Sequence, residues 1–160
     1  MASRMRDAAT RAGARIMDIY RKGVDVSRKA DRTPVTAADR EAEEIILGHL
    51  NPFGLPVLSE EREAECAGKP HDPESLGTRF FVVDPLDGTR EFVSGNGQFT
   101  VNIALIAHGR PILGVVLEPV TGKLFEGSPA GAFVSRVDGQ APAGRSALAT
   151  NPAAPLRFVA

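Results

Sequence analysis

Apolar positions at the start of the chain keep a helical period. Met5, Ala8, Ala9, Ala12, Ile16, Ile19 and Tyr20 recur with Arg and Asp between them, which predicts an amphipathic helix over residues 3–21. Gly23 is placed to end it. Residues 24–32 are polar and read as loop. A second helix is predicted to open at Thr36. Thr36-Ala-Ala-Asp39 has the form of a capping box, and Glu41, Glu43 and Glu44 favour the positive end of the helix. The pattern continues through Ile45, Ile46 and Leu50 and stops at Asn51-Pro52.

The periodicity then changes to that of strands. Short apolar runs at 56–59, 80–84, 100–107 and 112–118 read as strands, with 123–127 and 131–135 as two more. His108-Gly109-Arg110-Pro111 reads as a hairpin turn. Residues 62–78 are rich in Glu, Gly and Pro and read as a surface loop, and 87–94 as a turn of helix. Beyond Asp138 the chain is rich in Ala, Pro and Gly until Leu156, and 157–160 resemble the opening of another strand. Helices first and strands afterwards predict an α+β fold, with two N-terminal helices packed on one face of a mostly antiparallel sheet.

Composition narrows the chemistry. The 160 residues carry 42% hydrophobic and 24% charged side chains with a formal net charge of −1, so no electrostatic drive toward polymeric nucleic acid or anionic lipid exists. The single cysteine, Cys66, excludes an internal disulfide and a cysteine-based zinc site. His49, His71 and His108 form no metal-binding pair at helical spacing. The apolar runs are too short to span a bilayer, and the expected setting is cytoplasmic.

The most informative segment is Phe81-Val82-Val83-Asp84-Pro85-Leu86-Asp87-Gly88-Thr89. Two carboxylates three residues apart follow an apolar strand. Pro85 fixes the turn and Gly88 frees the backbone. Asp84, Asp87 and the Leu86 carbonyl between them can converge on divalent cations, and oxygen-only donors of this kind suit Mg2+. The N–H groups of Gly88 and Thr89 can cradle a phosphate. The competing reading is an Asx-type turn with solvated carboxylates. An EF-hand fails on spacing: with Gly88 at its sixth position, Pro85 would be third and Ser94 would replace the final Glu. The phosphoaspartate phosphatases separate their two Asp by one residue, not two. No Walker loop, HExxH or nucleophile elbow is present.

Asp84-Pro85-Leu86-Asp87-Gly88-Thr89 resembles the signature of the inositol monophosphatase superfamily, Mg2+-dependent, lithium-sensitive phosphomonoesterases. Two upstream segments resemble family landmarks in the same order: Pro34-Val35-Thr36-Ala37-Ala38-Asp39 and Leu58-Ser59-Glu60-Glu61. Thr89-Arg90-Glu91-Phe92, the stretch from Asn96 to Leu105, and Pro56-Val57 before the Glu pair are most similar to the 3′(2′),5′-bisphosphate nucleotidase branch of the CysQ type. The likeness runs from about Ala8 to about Phe133.

The resemblance implies roles. Glu60, Asp84, Asp87 and the Leu86 carbonyl would hold two or more Mg2+ ions, with Asp84 bridging two of them. Thr89 would orient a water for in-line attack, and Asp39 would accept a hydrogen bond from Thr89. The Gly88 and Thr89 amides would bind the phosphate beside the same metal-binding residues. Each role has a plainer competitor. Asp39 can serve the capping box, Thr89 can cap a helix, and Glu60 and Glu61 can be ordinary strand-end charges. Cys66 has no evident base, and the strand from Phe99 to Leu105 reads as core.

The resemblance also implies a second, α/β domain bearing a Trp-Asp-x-Ala-Ala-type motif. This sequence has no Trp. The expected organisation is therefore a metal-binding α+β domain over 1–135, then a linker and the start of a truncated second domain over 136–160. A chain of this kind is expected to be a weakly active or inactive fragment that pairs with itself or with a complementary C-terminal half. Three functions stay open. The first is hydrolysis of adenosine 3′,5′-bisphosphate to AMP and phosphate, a step that in the family serves sulfate assimilation. The second is the same chemistry on inositol monophosphate or a sugar phosphate. The third is a non-catalytic Mg2+-binding module that needs a partner chain.

Overall fold

Two helices cover one face of a seven-stranded sheet. The computed structural model describes residues 1–23, 34–60, 76–138 and 141–149. In chain order the elements are α1 (Ala2–Arg21), α2 (Pro34–Leu50), a 3-10 turn (Asn51–Phe53), β1 (Val57–Ser59), β2 (Arg79–Asp87), α3 (Thr89–Ser94), β3 (Thr100–Ala107), β4 (Arg110–Glu118), β5 (Lys123–Ser128), β6 (Gly131–Asp138) and β7 (Ala141–Leu148). The α+β architecture expected from the pattern is the one observed.

The predicted stripe on α1 is its core-facing side: Met5, Ala8, Ala9, Ala12 and Ile16 are buried, Ile19 and Tyr20 are partly buried against the core, and Met17, outside the predicted stripe, is buried with them. Small residues let the helix lie close to the sheet. A Cβ on Gly13 would stand 2.5 Å from Leu117 Cδ2 of β4. The helix closes as expected, the Gly23 N–H donating to the Tyr20 carbonyl at 3.2 Å. α2 begins at Pro34, two residues before Thr36, because a proline is favoured in a first helical turn, where its missing N–H is not needed. Thr36 and Asp39 therefore do not frame the helix start as a capping box. Asp39 is instead buried within α2, near Ala38 and Ala42. Arg15 and Glu41 form an ion pair that ties α1 to α2.

The strands pair in sequence order, β1 to β7. β1 lies parallel to β2 and every other pair is antiparallel. Ala107 pairs with Arg110 across His108 and Gly109, with φ of 50° and 72°. This two-residue connection has the positive φ pair that suits the strand twist. Register fixes the two faces. Phe81, Val83, Val101, Ile103, Leu105, Val115, Leu117 and Leu124 are buried on the helix-covered side. The alternate positions form the other face, where Asp84, Asn102, Val116, Phe125 and Val134 follow one another across β2 to β6. Val116 there is exposed.

Two elements depart from the pattern. β2 does not turn at Pro85 but runs on to Asp87. Residues 141–148, which composition places in connecting chain, form an edge strand paired with β6. An edge tolerates Pro142 and Gly144. The strand is anchored by Arg145, whose guanidinium lies 3.5 Å from the Phe133 ring centroid and 3.6 Å from Glu126. Neither contact leaves a hydrophobic period to be read.

Candidate active site

β1 and β2 bring three carboxylates to one corner of the sheet. Their parallel register sets Ser59 beside Val83, so the next residues along, Glu60 and Asp84, share a level. On the other side of β2, Asp84 pairs with Asn102 and Asp87 with Thr100. Three steps along β2 thus match two along β3. The extra residue is a bulge at Pro85-Leu86, where a proline that cannot donate to a ladder is tolerated. Leu86 is buried and holds the bulge against the core. Asp87 Oδ2 accepts a hydrogen bond from Asn102 Nδ2 at 3.2 Å.

The electrostatics of this corner are unfavourable without a cation. Asp84 is half-buried and its carboxyl is pushed up to about 6. Burial is the largest cause, followed by the charges of Glu60 and then Asp87, and the Leu86 N–H opposes them by hydrogen-bonding the carboxylate. Its Oδ1 is sealed from solvent and has no hydrogen-bond partner among the described residues. A buried acceptor left unpaired costs free energy, and a hard cation would satisfy it. The donor set fits Mg2+ in kind: oxygens only, and few of them, for an ion that retains waters. Among the described residues no three Asp, Glu, His or Cys side chains form a finished cage. Glu60 is exposed at the rim, and Asp87 is turned toward Asn102.

Past the bulge the chain turns at Gly88 and enters α3. Gly88 has φ 93°, and a Cβ there would stand 2.7 Å from the Gln98 carbonyl oxygen, so only glycine fits. Gly88 is the N-cap of α3, and its carbonyl accepts from the Phe92 N–H at 2.9 Å. Thr89 is the first residue inside the helix and exposed, and no side chain caps α3. The capping role open to Thr89 is therefore not the one it plays. Phe92 anchors α3 in an aromatic cluster with Tyr20 and Phe99, at ring centroid distances of 5.3 and 5.2 Å. α2, which carries the buried Asp39, touches α3.

The structure thus brings Glu60, Asp84 and Asp87 together, with Leu86, Gly88 and Thr89 continuous with them. Asp39 lies beneath, on a neighbouring helix. Glu61, Cys66 and His71 lie outside the described residues, and His108 sits in the hairpin turn. Asn102 is the residue the sequence reading missed. A polar amide inside an otherwise apolar strand was the available signal.

The profile of the inositol monophosphatase family matches residues 1–152. The chain belongs to the inositol monophosphatase family. Among relatives in the family, the 3′(2′),5′-bisphosphate nucleotidase CysQ of Escherichia coli (strain K12) is 48% identical over 121 residues, covering 73% of this chain and 47% of that protein. A histidinol-phosphatase of Chlorobaculum parvum is 34% identical over 155 residues, covering 95% of this chain and 56% of that protein. The crystal structure of CysQ from Bacteroides thetaiotaomicron superposes with a TM-score of 0.72 at 40% identity, over 85% of this chain and 49% of that one. The chain spans about half the length of the relatives it matches.

Proposed function

We propose that this chain carries the metal- and phosphate-binding residues of a phosphomonoesterase of the 3′(2′),5′-bisphosphate nucleotidase type, acting on adenosine 3′,5′-bisphosphate to give AMP and phosphate. The observation that supports it most directly is the sealed, unpartnered Oδ1 of Asp84, set among the charges of Glu60 and Asp87. In this reading Glu60, Asp84, Asp87 and the Leu86 carbonyl hold Mg2+. Bound there, Mg2+ would lower the pKa of a coordinated water and offset charge on the leaving oxygen. The chain's own residues do the positioning. The Gly88 and Thr89 amides face the substrate phosphate, the Thr89 hydroxyl orients the attacking water, and Asp39 accepts a proton-sharing hydrogen bond from Thr89.

Metal binding is the first test, because it depends on residues this chain contains. Mn2+ binding followed by electron paramagnetic resonance, with Mg2+ as competitor, is expected for the wild type and lost in Asp84→Asn. A wild type that binds neither ion overturns the reading. Phosphate release then identifies the substrate class. The weak release expected of this chain should be Mg2+-dependent, lithium-sensitive and faster from adenosine 3′,5′-bisphosphate than from inositol monophosphate or histidinol phosphate. The histidinol-phosphatase relative, similar over 95% of the chain, favours histidinol phosphate as the second reading, and faster release from that compound would establish it.

A further inference from the structure

We propose that Asn102 is a positioning residue of this site, its side-chain amide holding Asp87 in the orientation that leaves the other carboxylate oxygen to a metal ion. The inference rests on the metal-binding reading above. Val101 and Ile103 are both buried under the helices, so strand alternation turns Asn102 to the opposite face. There it lies directly across the ladder from Asp84, and Nδ2 donates to Asp87 Oδ2 at 3.2 Å. One residue thus stands beside one carboxylate and bonds the next.

The chemistry of an amide suits that place. A Lys would neutralise the corner and compete with a cation, and an Asp would add a further negative charge beside a carboxyl already raised. An Asn donates one hydrogen bond without altering the charge. Asp87 lies at the exposed end of β2, where a carboxylate without a partner would sample many rotamers. Holding Oδ2 removes that freedom while Oδ1 stays available. Hydrogen bonds to ligating carboxylates commonly contribute in this way to metal affinity.

The test is a double-mutant cycle read by Mn2+ affinity, using electron paramagnetic resonance on the whole chain: wild type, Asn102→Leu, Asp87→Ala and the double variant. Asn102→Leu is expected to weaken binding about 10-fold, the lower end of the range for such partners. In the Asp87→Ala background it should cost nothing further, because Asn102 acts through Asp87. A structural role would give the same loss in both backgrounds and overturn the proposal, as would unchanged affinity in Asn102→Leu. If Asn102→Leu does not fold, Asn102→Ser replaces it in the cycle with the same expectation. A wild type that binds no Mn2+ sinks the metal reading and this inference together. Loss in Asp87→Ala without loss at Asn102 sinks this inference alone.

Discussion

Replacing Asp84 separates what the fold needs from what the site needs. Its carboxyl is raised from 3.8 to about 6 by burial and by the charges of Glu60 and Asp87. A carboxyl raised in this way holds its proton more tightly in the folded chain than in the unfolded one. The stability it contributes is complete below about pH 3.8 and is lost as pH rises through about 6. That span corresponds to about 3 kcal/mol, and solvent contact at a half-buried side chain screens it to about 1–2 kcal/mol. Asp84→Asn keeps the shape and removes the charge. In EDTA, urea unfolding should place the variant about 1–2 kcal/mol above wild type at about pH 8, and level with it at about pH 3.5. Added Mg2+ should reverse the order. At a hundred times its dissociation constant it stabilises the wild type by about 2.7 kcal/mol, more than the variant's lead, and leaves the variant unchanged. A variant less stable than wild type at about pH 8 in EDTA would refute the reasoning, because ionised Asp84 would then be held by favourable partners.

Three further substitutions test the fold, at the site and away from it. Gly88→Ala should cost about 1–3 kcal/mol in thermal or urea unfolding, since the residue has φ 93° and its Cβ would meet the Gln98 carbonyl at 2.7 Å. Gly95→Ala, with φ 73° but nothing within 4 Å of its Cβ, should cost less and serves as the control. Glu126→Gln should cost about 1–2 kcal/mol in urea unfolding, because the buried carboxylate receives Arg6 at 2.8 Å and lies 3.6 Å from Arg145. Its effect on Mn2+ affinity should be nil, since Glu126 pairs with Val115 on the helix-covered face.

Elements with a strong hydrophobic period were legible in the sequence. The α1 stripe from Met5 to Tyr20 became the core-facing side of a helix, with Ile19 and Tyr20 at its partly buried end, and the strand read over 100–107 is β3. What escaped depends on pairing rather than on pattern. Pro85 reads as a turn because it cannot donate a hydrogen bond, yet in a bulge no donor is required there. β7 buries little, and a cation stacked on Phe133 leaves no period. The depth of Asp39 followed from where α2 begins, which Pro34 decides and the Thr36 box conceals. Asn102 was hidden because its neighbours Val101 and Ile103 mark the strand as core, and only the ladder shows which residue it faces.

The motif's spacing and the bulge explain each other. In a regular strand, residues three apart point to opposite faces. Asp84 and Asp87 would then be split between the open side of the sheet and the hydrophobic core. The register of β3 shows how this is avoided: Asn102 and Thr100 are two apart and share a face, and they pair with Asp84 and Asp87. The additional residue at Pro85-Leu86 returns the second carboxylate to the side of the first. On the other flank, the parallel pairing of β1 sets Glu60 level with Asp84, where an antiparallel partner would have run the opposite way. Both departures from a plain antiparallel meander act on this corner. Their shared consequence is electrostatic cost at Asp84, which burial and two neighbouring carboxylates raise. A fold selected for stability alone gains nothing from gathering like charges around a sealed oxygen. A cation held there, as proposed, would make the arrangement favourable, and the burial that penalises Asp84 would then strengthen its hold on the ion.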